Sequence, residues 1–285
     1  MNRQAVSQGR SIHRRWLARA MAIGMAVAGG LVLASSAQAD VLVSVGFAPP
    51  PLPVYAQPVI PGPGYIWVPG YWAYDDDGGY YWVSGTWVLP PYYGALWTPG
   101  YWGWGGGVYV FHPGYWGRHV GFYGGIHYGY GYTGTGYVGG YWGHGGFYYN
   151  RAVTHIDDHV HITNVYNHAV VNDTTINRTS FNGGQGGIHA DPTARDMAAT
   201  RDQHMGPIAA QEQERSMASH DRAMRASFNH GAPSRAAVGQ ADALTAYGTV
   251  GTVAPRTGIS AGQSQGHVWA LRSASFAHPS DGVAN

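Results

Sequence analysis

Trp67-Val68-Pro69-Gly70-Tyr71-Trp72, Trp82-Val83-Ser84-Gly85-Thr86-Trp87 and Trp97-Thr98-Pro99-Gly100-Tyr101-Trp102 repeat one pattern, W-x-x-G-x-W, at a spacing of 15 residues. Phe111-His112-Pro113-Gly114-Tyr115-Trp116 keeps it with one aromatic exchange. Tyr137-Val138-Gly139-Gly140-Tyr141-Trp142 keeps it again, and Phe122–His127 is a degraded copy. An internal period of this kind decides the architecture before any other feature does. Residues 65–74 and 80–89 flank the loop Asp75–Gly79, and residues 95–104 and 108–117 flank Gly105–Gly107. Short Gly-containing loops between aromatic and β-branched runs predict hairpins. The expectation is two hairpins and a looser third from about 122 to 149, with each repeat inside a strand.

The two Trp of a unit stand five residues apart, so strict alternation would put them on opposite faces of a strand. A bulge at the Gly would return both to one face. A second arrangement makes Pro69-Gly70, Pro99-Gly100 and Pro113-Gly114 turns between strands. It ranks lower because a Pro-Gly type II turn twists against a tight hairpin.

Outward from the repeats, the composition sets limits. The chain has 285 residues, 44 Gly, 17 Pro and no Cys. Without Cys there is neither a disulfide framework nor a thiolate metal site. Arg3, Arg10, Arg14, Arg15 and Arg19 precede an apolar run, Ala20–Leu33, and the small-x-small triplet Ala37-Gln38-Ala39. That order predicts a secretory signal peptide over residues 1–39 and a mature chain from Asp40. The apolar run is too short to span a bilayer, which takes about 20 residues, so no transmembrane span is expected in the mature chain. All 15 acids lie from Asp40 onward, against 11 of the 16 basic residues, so the mature chain carries a net charge of −4. Every basic residue is Arg. A chain of this charge is a poor nucleic-acid binder, because that affinity rests on cations displacing counterions. A lipid-facing β-barrel also fits poorly, because its aromatics would flank an aliphatic band rather than fill mid-strand.

The remaining segments divide the chain further. Residues 40–64 read as a short strand and a stiff Pro-rich linker. The aromatic domain covers 65–149. Residues 150–182 are β-branched runs broken by Asn, Thr and His and read as strands. Residues 183–228 open with a Gly hinge, Gly183–Gly187. A helix is expected to start at Asp191 as N-cap with Pro192 behind it, and a weak second one to run from Pro207 to about Arg225. Residues 229–285 carry no period and read as a disordered tail. The fold class is mainly β: aromatic, Gly-rich antiparallel hairpin repeats, then Asn/Thr-rich strands, one or two weak helices and the tail.

The repeats at 67–72, 82–87 and 97–102 resemble those of the bacterial W-x-x-G-x-W (YXWGXW) repeat proteins. The resemblance extends from Ala48–Pro63 through Tyr149–Val153, Asn164–Asn167 and Ser180–Gly187 to Asp191–Ala194, so that it spans roughly 41–230. It implies an exported or envelope-associated protein and carries no catalytic residue to transfer. The His/Asp-rich stretch His155, Asp157, His159, His161 departs from what the resemblance leads one to expect.

Enzyme chemistry finds few groups to work with. From Val41 to Asn150 the formal charges are Asp75, Asp76, Asp77 and Arg118, and the chain's Glu residues are Glu212 and Glu214 in the weak helix. There is no nucleophile elbow, phosphate loop or H-E-x-x-H, and no cofactor motif. On a strand, His155, Asp157, His159 and His161 would share a face and could chelate zinc, copper or nickel. That face would equally serve as the solvated side of an amphipathic strand. Trp67, Tyr71, Trp72, Trp82, Trp87, Trp97, Tyr101, Trp102, Tyr115, Trp116, Tyr141 and Trp142 are the candidate contact residues. Exposed, such rings stack on sugars or on a partner's apolar patch; buried, they supply the core. The expected function is that of a non-enzymatic, exported envelope or secreted structural/interaction protein whose partner is an envelope protein or a polysaccharide. The alternatives are carbohydrate binding through exposed Trp/Tyr and periplasmic metal binding through His155–His161.

Overall fold

A computed structural model describes residues 43–170 and 177–240. The expected signal peptide and the part of the expected tail beyond 240 lie outside the described residues, as do Val171 and Ile176 of the Asn/Thr-rich segment. Strand β1 is Ser44–Val45. The first hairpin comprises β2 Ile66–Val68, β3 Tyr71–Asp75, β4 Gly79–Val83 and β5 Gly85–Val88. The second comprises β6 Leu96–Thr98, β7 Tyr101–Gly105, β8 Val108–His112 and β9 Tyr115–Gly117. The third is β10 Gly140–Gly143 with β11 Gly146–Asn150. Two-residue strands follow, β12 Val165–Tyr166 and β13 Phe181–Asn182. Helices α1 Ala194–Ala199, α2 Ala209–His220 and α3 Ala226–Asn229 come next, and β14 Ala237–Val238 closes the described chain.

The repeats do not lie within strands, and they contain no bulge. Tyr71 faces Val83 and Val68 faces Thr86, with Pro69-Gly70 on one side and Ser84-Gly85 on the other. The interruption is therefore equal on the two strands and the register does not slip. Thr98 facing Tyr115 and Tyr101 facing His112 give the same result at Pro99-Gly100 and Pro113-Gly114. Each hairpin is one long ribbon broken across both strands in the middle. A one-sided bulge would shift every later pair; a matched break keeps Trp67 opposite Trp87, Trp72 opposite Trp82 and Trp97 opposite Trp116. It re-aims the second half of the ribbon, so that both Trp of a unit enter the same core despite their odd spacing.

Short, sequence-distant strands cover the ribbon edges. β14 pairs parallel with β5, β13 parallel with β7, β12 parallel with β11, and β1 antiparallel with β8. Unpaired edges template aggregation, and such covers remove them. The expectation of disorder from 229 fails for residues up to 240: Ala236, Ala237 and Val238 are buried against the first hairpin. Through Tyr81 and Arg225 a further bridge ties the helical segment to β4.

Three other expectations change. The expected third hairpin is confined to residues 140–150, because 122–139 turns at Gly124, Gly125, Gly129, Gly131, Gly134 and Gly136, all at positive φ. Among the described residues of 150–182, beyond Asn150 at the end of β11, only β12 and β13 are strands. There Asn and Asp side chains bond nearby amides instead, Asp157 Oδ1 to the N–H of His159 (2.9 Å) and Asn177 Oδ1 to that of Thr179 (3.1 Å), in competition with a ladder. Helix α1 starts behind Thr193, not Asp191, because Thr193 and Asp196 form a reciprocal capping box.

The Pro-rich segment is packed rather than free. Leu52 and Ile60 are buried, and its carbonyls accept from core indoles, Pro51 O from Trp72 (3.1 Å) and Pro58 O from Trp87 (2.9 Å). An extended Pro-rich strand makes no internal hydrogen bonds, so its carbonyls are free for this. Helix α2 is docked as well. Its buried side is Gln211, Glu214 and Ala218 rather than an apolar stripe.

Candidate functional site

The repeat explains itself in atomic terms. A Cβ at Gly70 would lie 2.4 Å from the ring of Trp82, and one at Gly85 would lie 2.6 Å from Trp67. In the second hairpin a Cβ at Gly114 would lie 2.4 Å from Trp97, and one at Gly100 would lie 2.9 Å from Phe111. The Gly of each unit is thus the seat for the first aromatic ring of the unit paired with it. None of these four has positive φ, so space rather than backbone freedom requires them. The third hairpin keeps half of the device: Gly140 seats Phe147, while Asn150 holds the other Gly position and bonds the carbonyls of Val138 and His168, each at 3.0 Å.

Among the twelve candidate contact residues, Trp67, Trp72, Trp82, Trp87, Trp97, Trp102 and Trp116 are at most 4% exposed. A ring that stacks on a sugar needs a free face, and these have none. They are core. Five of their indole N–H groups find acceptors inside the protein, those of Trp72 and Trp87 on the Pro-rich segment, Trp82 on Ala236 O (2.9 Å), Trp102 on Trp72 O (2.8 Å) and Trp116 on Gln211 Oε1 (2.8 Å), while that of Trp67 is buried without a partner. Trp142 is half-buried and bonds Ala95 O (2.8 Å). The bond from Trp102 to Trp72 joins the second hairpin to the first.

The recurring Tyr are nearer the surface but already paired. Tyr71 stacks on Phe111 (5.5 Å), Tyr101 on His112 (4.5 Å) and Tyr115 on His204 (3.9 Å). Burial pushes all three hydroxyls above the ordinary tyrosine value, so none is a base at neutral pH. Tyr141 is different. It is 50% exposed, stacks on Tyr148 at 5.2 Å and lies 5.4 Å from Tyr166. Tyr141, Tyr148 and Tyr166 form an accessible aromatic face on the β10–β11–β12 sheet.

The His/Asp cluster does not assemble. Residues 155–161 are turn and irregular backbone, so the alternation that would have put the four side chains on one face is missing. His155 Nδ1 donates to Gln57 O (2.8 Å) and His159 lies 3.8 Å from Asp157. Among the described residues no three His, Cys, Asp or Glu side chains gather as a metal site.

Sequence reading missed two features. The first is a 340 Å³ cleft on the outer side of the second hairpin, lined by Tyr101, His112, Tyr115, Phe122 and Met197 without a formal charge. The second is a 520 Å³ cleft between Tyr130 and His155. Both are built from segments distant in the chain, and no local signal marks them.

The family profile of the WXXGXW repeat matches two copies, residues 62–88 and 92–116. These are the two long ribbons. No curated protein and no solved structure matches the chain.

Proposed function

We propose that this chain, built on two WXXGXW repeats, is an exported, non-enzymatic interaction protein of the cell envelope or its surroundings, in which the repeats are scaffold and the contacts are made elsewhere. The observation that carries this reading is the internal use of the repeat Trp: buried rings, seated on partner glycines, with the indole N–H groups of Trp72, Trp82, Trp87 and Trp102 spent on the protein's own carbonyls. The export half rests on residues 1–39. The non-enzymatic half is supported by the chemistry of the aromatic domain, where the buried titratable groups are mainly tyrosines kept protonated by burial. General acid–base work at neutral pH needs groups that exchange protons there. Fractionation of the producing cell, followed by in-cell crosslinking, tests it. Recovery in the periplasm, envelope or medium with a crosslinked envelope partner is expected, and retention in the cytoplasm overturns it.

One observation favours a second reading, polysaccharide binding, with the contact moved from Trp to Tyr. On the Tyr141–Tyr148–Tyr166 face Tyr141 is half exposed and parallel to Tyr148, with Tyr166 tilted against it. Intrinsic tyrosine fluorescence titrated with envelope polysaccharides should respond saturably in the parent and not in Tyr141→Ala. An equal response in both removes this face from the reading.

A further inference from the structure

The 520 Å³ cleft is lined by Ala56, Gln57, Gly129, Tyr130, Arg151 and His155, among others, and lies within the roughly 300–1,000 Å³ range of small-ligand sites. Its formally charged group is the Arg151 guanidinium, which only donates. Arg151 makes no ion pair among the described residues. His155 is held in one orientation from two sides by a single residue, its N–H on Gln57 Oε1 (2.8 Å) and its Nδ1 on Gln57 O (2.8 Å). A carbonyl only accepts, so Nδ1 carries the proton and Nε2 is the ring nitrogen left over. Because Gln57 Oε1 is taken, the amide's other end is fixed as Nε2. That NH2 is buried without an acceptor in a side chain only 4% exposed, a cost that native proteins rarely leave unmet. The nearby acid, Asp157, is turned to its own turn through the N–H of His159.

The opposite wall carries backbone strain. Tyr130 has φ +52 and Gly131 φ +99, in a tight turn closed by Gly129 and Tyr132. Such a turn favours Gly or Asn at the first of these positions, and a bulky residue there is strained. The Tyr130 hydroxyl bonds Tyr55 O and its ring packs on Tyr55 and Trp67, which holds the ring beside the cleft. Strain kept at a cleft wall is the kind that function retains.

We propose that this cleft binds an acidic sugar, a uronate whose carboxylate meets Arg151 and whose ring lies against Tyr130. One arginine answers one carboxylate, which suits an isolated uronate in a glycan rather than a polyanion. The flat phenol ring and the amide and imidazole groups suit a hydroxyl-bearing ring better than an extended peptide. The inference names a ligand class for the interaction protein proposed above and rests on that reading. Its test is made in solution and is independent of where the protein resides. A protein that binds the sugar but fractionates with the cytoplasm would sink the export reading alone.

Calorimetric titration of the purified full-length protein with cellobiouronic acid, cellobiose and acetyl-D-alanyl-D-alanine decides it. A saturable heat with the uronate, at least about tenfold tighter than with cellobiose, is expected, as one charge-assisted contact provides. Arg151→Ala should lose about tenfold, and Arg151→Lys should recover part of that loss. Arg151 is exposed, so these variants keep the fold, which near-UV circular dichroism verifies. Tyr130→Gly relieves the turn but removes the ring packed on Tyr55 and Trp67, so it should weaken binding and lower the unfolding midpoint. Absence of saturable binding, equal affinity for cellobiose, an unaffected Arg151→Ala, or binding of the dipeptide alone each overturns the proposal.

Discussion

The two long ribbons are the same object on their inner side and different objects on their outer side. Inside, Trp72 with Trp82 and Trp102 with Phe111 fill one core. Outside, Tyr71, Ala73, Tyr81 and Val83 of the first ribbon are sealed beneath Ala218 of α2 in a small second apolar cluster. The matching positions of the second ribbon are Tyr101, Gly103, Val110 and His112, and among the described residues they join no such sealed cluster: Met197 of α1 stands across a cleft from Tyr101 and His112. There the 340 Å³ cleft opens. The repeated residues are those that build the core, and the residues free to differ face outward. In a repeat architecture the outward positions are where contact surfaces are made.

The largest effect should come from the seats shared by both ribbons. Gly70→Ala and Gly114→Ala each push a Cβ to 2.4 Å from an indole and should cost about 3 kcal/mol or more, or prevent folding. Gly105→Ala meets nothing within 4 Å and should stay within about 0.5 kcal/mol. Chemical denaturation of the three variants measures this. Equal tolerance of all three would remove the seating argument from both ribbons at once.

The next test separates the ribbons. Val83 and His112 hold equivalent positions, one 4% exposed under α2 and one exposed. Val83→Ala should cost about 2 kcal/mol through the cavity it leaves. His112→Ala loses the stack on Tyr101 and should cost about 0.5 kcal/mol. Equal losses in urea titrations would mean that the outer faces are alike after all.

A smaller effect belongs to the first ribbon alone. Glu214 of α2 is 1% exposed, with neither carboxyl oxygen hydrogen-bonded and Arg235 at 3.6 Å. It lies at a 30 Å³ cavity beside Ser84 and Thr86. Burial raises its pKa above the ordinary 4.5, with Ser84 and Arg235 opposing in part. The fold therefore prefers the neutral carboxyl. That contribution is full below pH 4.5 and is lost as pH rises through the raised value. Glu214→Gln keeps the neutral shape, so at pH 7 it should be the more stable protein by about 1 kcal/mol, with the difference vanishing in acid. Thermal melts of both proteins across pH show it. A parent that gains on the Gln variant as pH rises would mean that the Arg235 pair outweighs desolvation.

Much of the ribbon was legible in the sequence, because even spacing and Gly loops are local signals. W-x-x-G-x-W gave away the hairpins and their loops at Asp75–Gly79 and Gly105–Gly107. It did not give away the matched break, since one strand cannot tell whether its partner is interrupted opposite. The candidate site was less legible. Trp82 or Trp97 as contact and as core are the same letter, and burial is a property of the assembled fold. The reading of His155–His161 as a strand face failed for a local reason: the Asp157 carboxylate accepts from the nearby backbone N–H of His159. The Pro-rich segment read as a linker because its packing partners, Trp72 and Trp87, lie elsewhere in the chain.

By itself the sequence determined the repeat, its glycines, the absence of Cys and the scarcity of charge in the aromatic domain, because these are questions of residue identity and spacing. Only the tertiary structure decided that seven of the repeat Trp are core, that Ala237 and Val238 pair with the first ribbon, and that Gln57, Tyr130, Arg151 and His155 line one cleft. Those outcomes depend on which distant segment satisfies a buried N–H or covers an open edge, and that competition is settled only when the whole chain packs.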